Sequence, residues 1–481
     1  MTVSPPSVFT RSLICLVLLT TAIGALACLW VAWCEFPFFH WNDLRLAPAF
    51  ALRHGINPYP LLDGGPLSTW IYGPVGIMVN LPATFASSAR DALWIEGALN
   101  LLILLAPLAV IFFGSAELRA RGPAATWLAL VLGVLLIPHL NLILQCADQS
   151  AIACGLLSCW CLARRPTPGG AWIIGAAALC AVAVWAKQIE VFLPVAQLGF
   201  LLVAGKRREA GRFLAWFAVF NLLAIAVFVP AFGFANLRFN LITIPARLGW
   251  AEFMPRIALR WKSLIAEVGV PTVGLVVCWL SGLWPNRHDE GGRLFQLCAL
   301  VFVVMLPVGS IAFFKVGGDI NLFHSWDYLM PASLLAWLAR DQVGPAALTR
   351  LFIVAAGALA LRWGDFAALP GQPCRQPFAI AEQLTAMYPH SVWFPQNPVI
   401  TFYADQSLWH SEDGLSTRWL AGYGVSKSAF LRHLPPNLRA IAYPAANTSP
   451  FAVKLLPEFS RKIRWPYWIV YIRPPGDAPD P

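Results

Sequence analysis

Asp43, Asp148, Lys187, Lys315, His324 and Asp327 are ionisable residues set in or beside long apolar runs. A charged side chain at the centre of a membrane span costs about 2.5–3.5 kcal/mol on insertion scales, so such residues are rare unless they face a polar cavity. A carboxylate can accept the proton of an attacking hydroxyl, and cations can stabilise a departing phosphate. Asp43 lies in "HWNDLRLAPAFALRHGINPYP", which also carries Tyr59, and Tyr72 follows in "YGP". Asp148 and Gln149 belong to "QCADQSAIACGLL", Lys187 to "WAKQIEVFLP", and Lys315, Asn321, His324 and Asp327 to "FFKVGGDINLFHSWDY". Each lysine stands at the edge of an apolar run, where an ammonium can meet a phosphate at headgroup depth. At ~4 Å and an effective dielectric near 20 that contact is worth about 4 kcal/mol before desolvation. The competing reading pairs Lys187 with Glu190 and Lys315 with Asp319. His324 sits one turn from Asp327, so these two are either cavity groups or a structural hydrogen-bonded pair. "KVGGDIN" lacks the GxxxxGK[ST] spacing, which argues against a nucleotide site.

These residues need elements to position them. The chain is 58% hydrophobic and 12% charged, about half the charged fraction of a soluble domain, and is read as a polytopic membrane protein embedded in a lipid bilayer. The net charge of +10 lies mainly as Arg in short loops such as "ELRARG" and "GKRREAGR". It reports topology rather than a nucleic-acid partner. Runs long enough for a ~30 Å hydrocarbon layer lie near 12–34, 91–113, 124–140, 142–162, 170–186, 189–204, 213–232, 268–284, 294–314, 321–338 and 348–363. The first is read as a retained span rather than a signal peptide. Alternation of basic loops excludes a crossing at 71–86, where Pro74 and Pro82 suit an interfacial or re-entrant helix, as the amphipathic "LRLAPAFALRHG" also does.

The expected fold is an all-α polytopic bundle of about 11 transmembrane helices, with interfacial helices in a first outer loop at 35–90 and a second outer loop at 233–267. The N-terminus is expected on the cytoplasmic side. Residues 1–364 form the membrane domain, and 365–481 a small extracytoplasmic α/β domain with a helix at "PFAIAEQLTAMY" and strands at "SVWFP", "RAIAYP" and "YWIVYI". Within it "WHSEDGLSTRWLAG" reads as a solvated turn before a helix beginning near Ser416. The rival reading gives His410, Glu412, Asp413 and Arg418 a part in acceptor recognition. Most of the 11 cysteines lie in apolar runs and form no paired CxxC framework. Cys374, alone after the last span, leaves the C-terminal region no disulfide of its own.

Together, "GINPY" and "YGP" after an acid, "QCADQSAIACGLL", "KQIEVFLP" followed by "GKRRE", and "KVGGDINLFHSWDYL" resemble the GT-C superfamily of polytopic glycosyltransferases. The likeness covers residues 12 to 340 by order and spacing. It implies a polyprenyl-phosphate-linked sugar donor, an extracytoplasmic glycan, lipid or protein acceptor, a bacterial inner membrane, and an active site facing the periplasm. It implies Asp43 as catalytic base, with Lys187, Lys315 and His324 on the phosphate and the other residues above as substrate contacts. The usual Tyr-Pro-Pro is Tyr72-Gly73-Pro74 here. Many relatives use a divalent cation and a second acid; the nearest in sequence is Glu35, which leaves the metal an open expectation. Two rival functions stand: a secondary transporter or lipid-linked-sugar flippase, which predicts paired broken helices in two halves, and a noncatalytic assembly partner.

Overall fold

The computed structural model describes residues 8–39, 41–68, 70–144, 147–164, 170–250, 252–280, 285, 288–315, 318, 320–338, 355–360, 362, 376–445 and 450–474. Among the described residues four helices are long and apolar enough to cross a membrane: Cys15–Glu35, Ala89–Gly114, Arg207–Phe232 and Glu290–Phe314. Shorter apolar helices pack among them, including Pro123–Leu136, Ala147–Ala163, Ala171–Ala186 and Trp326–Leu338. Local chemistry sets several boundaries. Ser88 caps Ala89–Gly114 by accepting from the Asp91 amide at 3.1 Å, and Pro123 opens its helix where a missing N–H costs nothing. The expected last span, 348–363, falls largely outside the described residues.

The stretch 71–86 forms a six-residue helix, Pro74–Val79, and a 3-10 turn, Leu81–Phe85, neither of them long enough to span a bilayer. The segment 233–267 differs from the expected outer loop. Short helical turns run from Phe234 to Arg247, and a continuous 28-residue helix, Phe253–Leu280, then absorbs both the loop's end and the following span. Arg256 and Arg260 lie four residues apart on one face of it. Ile257, Leu264 and Val268, on the helical spacing, pack towards Phe313, Phe314 and Phe323. Charge counting along the sequence sees a loop there, whereas the helical period carries an apolar stripe through it, with Arg260 laid along that stripe, 4.0 Å from the Phe313 ring centroid.

The C-terminal region forms the expected α/β unit. Strands β1 (Val392–Trp393), β2 (Ala440–Pro444), β3 (Arg461–Trp465) and β4 (Trp468–Ile472) pair in the order β1-β2-β4-β3, parallel between β1 and β2 and antiparallel elsewhere. The sequence reading missed β3, whose "RKIRW" is the charged pattern of an edge strand rather than a core one. The amphipathic helix appears at Gln376–Met387.

One apolar core lies among the bundle helices, around Phe112, Phe213 and Phe302. A second joins Phe50, Tyr59 and Trp70 of the first outer loop to Phe394, Phe402 and Trp468 of the C-terminal unit. The helix Asn42–Arg53, expected to rest on the membrane interface, is instead buried within the protein beneath Pro398–Asp405, with Phe50 and Phe402 ring centroids 4.9 Å apart. Its apolar face has found a protein partner in place of lipid.

Gly73 explains the departure from Tyr-Pro-Pro. Its amide donates to the Ala186 carbonyl at 3.1 Å, and a Cβ there would lie 1.7 Å from the Trp185 carbonyl oxygen. Only glycine lets the loop dock on the end of the Ala171–Ala186 helix, immediately before Lys187. Gly73→Ala must therefore push two backbones apart, at about 1–3 kcal/mol or more. Membrane abundance and size-exclusion profile in detergent are expected to collapse for it but not for Gly424→Ala, where nothing lies within 4 Å of the added carbon.

Candidate active site

A cavity of about 740 Å3 is bounded by the segment 35–90, the turn after Ala186, the segment Leu241–Arg260, the turn after Phe314 and the helix Glu412–Leu420. Among its described lining residues are five cations, Arg45, Lys187, Arg256, Arg260 and Lys315, against one carboxylate, Asp413. The remaining wall is mainly apolar and aromatic. Arg45 lies between two rings, its guanidinium 5.2 Å from the Trp41 centroid and 5.0 Å from that of Tyr72, a cation–π slot. Lys315 stands 4.8 Å from the Trp250 ring and donates to the Pro245 carbonyl at 2.8 Å. Arg256 donates to the Lys315 carbonyl at 2.9 Å, and Arg260 to the carbonyls of Phe313 and Gly318 at 3.1 and 2.6 Å. These two arginines therefore hold the turn that carries Lys315.

Behind the wall at Lys187 lies a buried polar network. Lys187 forms an ion pair with Asp148 and donates to the Asn321 carbonyl at 3.2 Å. Asn321 donates to Asp148 at 3.4 Å. His324 places Nδ1 3.1 Å from Asp148 and Nε2 against Glu190, and the Tyr328 hydroxyl donates to Glu190 at 3.1 Å. The pairing of Lys187 with Glu190 weighed from sequence is therefore replaced: the 3-10 turn Gln188–Val191 swings Glu190 away to His324. His324 and Asp327 do not hydrogen-bond through their side chains either; Asp327 accepts from Asn141 at 2.5 Å. Asp319 lies outside the described residues.

The remaining sequence candidates divide. Tyr72 and Asn321 line the cavity. Tyr59 is fully buried and donates to the Tyr72 carbonyl at 2.8 Å, which fixes the loop from behind. Gln149 is buried and bonds the carbonyls of Asn141 and Leu144. Asp43 is buried, and its Oδ1 accepts from the Val399 amide at 2.7 Å, at the start of Pro398–Asp405. Burial raises its carboxyl to about 7 against the lowering effect of the Val399 and Asn397 hydrogen bonds. Its neighbours Trp41 and Arg45, not Asp43 itself, reach the cavity wall.

A divalent cation fits this arrangement poorly. The buried acid on which the Asp43 charge bears is Glu96, and among the described residues no group of three His, Cys, Asp or Glu stands together. A hard cation takes six or more oxygens, and the Asp43 carboxylate already serves a backbone amide.

The cavity roof comes from "WHSEDGLSTRWLAG", and here the solvated-turn reading fails. The helix begins at Glu412 rather than Ser416, capped by Ser411, and His410, Ser411, Glu412 and Arg418 are buried. Burial pushes the His410 imidazole down to about 3, so it is neutral and its Nδ1 accepts from the Leu67 amide at 2.9 Å. Arg418 donates to the Ser68 carbonyl at 3.0 Å and to Asn240 Oδ1 at 2.7 Å. These contacts tie the C-terminal unit to both the first outer loop and the segment after Phe232. The solvated reading failed because every partner is remote in sequence. Arg45, Arg256 and Arg260 were absent from the expected site, and Asp413 entered only through the rival reading of its acidic cluster as part of acceptor recognition.

The described residues thus form a helical bundle with a cavity walled in part by the segment 35–90 and roofed by a small α/β unit. The chain is similar in fold to ArnT from Cupriavidus metallidurans in the apo state, with a TM-score of 0.56 and 13% identity over 94% of this chain and 97% of that one. No protein-family model matches the sequence, and no curated protein matches it. The likeness is one of fold.

Two outcomes follow for stability. Arg418→Met leaves Ser68 and Asn240 without their donor, at about 1–3 kcal/mol for each unsatisfied group, and is expected to lower the thermal midpoint in detergent and expose the 60–70 loop to protease. The Asp43 carboxyl is raised by folding from 3.8 to about 7, so its protonated form favours the folded state. That contribution is complete below pH 3.8 and is lost as pH rises through about 7, with a limiting slope of about 1.4 kcal/mol per pH unit. Thermal midpoints between pH 5 and 8 should fall more steeply for wild type than for Asp43→Asn; equal slopes would contradict the buried carboxyl.

Proposed function

We propose that this chain is an integral-membrane glycosyltransferase of a bacterial inner membrane, moving a sugar from a polyprenyl-phosphate carrier to an extracytoplasmic glycan, lipid or protein acceptor. The observation that carries this reading is the cavity, whose apolar walls suit a prenyl chain and whose five cations suit its phosphate. The fold shared with ArnT supports it. In an inverting transfer the acceptor hydroxyl attacks the anomeric carbon, the bond from that carbon to the phosphate oxygen breaks, and the polyprenyl phosphate leaves with the electron pair. Lys187, Lys315 and Arg45 hold the departing phosphate, while Asp148, His324 and Glu190 keep Lys187 at the wall.

Asp43 is the proposed base and takes the hydroxyl proton. Two features favour it: a carboxyl raised to about 7 is matched to proton transfer near neutral pH, and its own helix brings Arg45 to the cavity. Its contact with Val399 must be exchanged for the acceptor during turnover. In a deletion strain complemented at matched membrane abundance, Asp43→Asn is expected to lower the glycosylated product at least about 100-fold relative to wild type, read by mass spectrometry of glycolipids and surface glycans. Complete restoration by the Asn variant would remove Asp43 from the chemistry.

A further inference from the structure

We propose that Asp413, delivered by the C-terminal unit, is the acceptor-binding carboxylate of the cavity, accepting hydrogen bonds from hydroxyl groups of a polyhydroxylated acceptor headgroup. The inference rests on the glycosyltransferase reading and assigns the acceptor's position within it. Asp413 is the one carboxylate among the described residues that line the cavity, and Thr417, one turn on, lines it too. Its neighbour Glu412 is turned into the core, where it accepts from Tyr443 and from the Ala452 amide at 3.2 Å. Of two adjacent acids, Glu412 is turned into the fold, while Asp413 lines the opening and accepts only a long bond, 3.4 Å, from the Thr417 hydroxyl beside it.

The helix that presents it is held without slack. Ser411 caps it by accepting from the Gly414 amide at 3.2 Å, and a Cβ on Gly414 would meet the Leu67 carbonyl oxygen at 2.6 Å. Arg418 pins its far end to Ser68 and Asn240. A carboxylate fixed this way binds with little ordering cost. It repels a phosphate and favours hydroxyl donors, to which an ionised acceptor bonds more strongly than a neutral one. The cavity therefore carries groups of opposite preference. The lysines and arginines take the donor's phosphate, and Asp413, in the field of Arg45, takes the uncharged hydroxylated partner.

The test uses the full chain in the complemented deletion strain and, purified in detergent, with undecaprenyl phosphate as probe. Asp413→Asn is expected to lower the glycosylated product at least about tenfold, to let the lipid-linked sugar donor accumulate, and to bind undecaprenyl phosphate within about twofold of wild type. Wild-type product levels from Asp413→Asn would overturn the assignment. So would a loss of undecaprenyl phosphate binding that matches the loss of product, since the residue would then serve the donor or the fold. If wild type itself adds no glycosylated product over an empty vector, the glycosyltransferase reading falls, and the acceptor assignment with it.

Discussion

Lys187, Asp148, His324 and Glu190 reach one another from separate elements in a place almost closed to water, with relative exposures of 4% or less for each side chain. Taking a charge out of water costs several kcal/mol unless an opposite charge and further hydrogen bonds meet it. Here each member has a partner, and Asn321 and Tyr328 complete the set. The helices that carry these residues cannot slide or rotate without stranding a charge. Gly155 shows how tightly they are held, since a Cβ there would lie 2.1 Å from the Tyr328 hydroxyl. The network therefore fixes where Lys187 emerges on the cavity wall.

The same rule governs the outer layer. The first outer loop and the C-terminal unit share one apolar core, and their polar seams close through Arg418, His410 and Ser411 onto the backbone of Leu67 and Ser68. Asp43 belongs to that seam as much as to the chemistry proposed for it, because its carboxylate accepts the Val399 amide. A base placed at such a joint links proton transfer to the seating of the C-terminal unit. Lys187, Lys315, Arg256 and Arg260 are also held by backbone carbonyls, so the cavity's charge is set largely by rigid elements rather than by mobile side chains.

Much of this was legible from residue order. Long apolar runs located most helices within a few residues, because a bilayer-spanning segment must be long and uninterrupted. Prolines at 74 and 82 argued correctly against a span-length helix at 71–86. The strands at "SVWFP", "RAIAYP" and "YWIVYI" were readable because buried strands are β-branched and aromatic. The charged edge strand was not, and neither was the helix Phe253–Leu280, in which arginines interleave with the apolar stripe. The scarcity of charge pointed to Lys187, Asp148, His324 and Asp327, and Glu190 stood beside Lys187.

What sequence by itself determined, then, is the membrane-type helical class, the α/β character of the C-terminal region and the short list of ionisable residues that need a polar setting. All of these follow from composition and period. Which acid meets which cation, whether Asp43 or Asp413 faces the opening, and that "WHSEDGLSTRWLAG" forms a roof were decided only by tertiary structure. Those outcomes depend on contacts between residues as far apart as Asp43 and Val399 or Leu67 and His410. Desolvation acts on the assembled surface, and no local pattern encodes which distant group will cover a given charge.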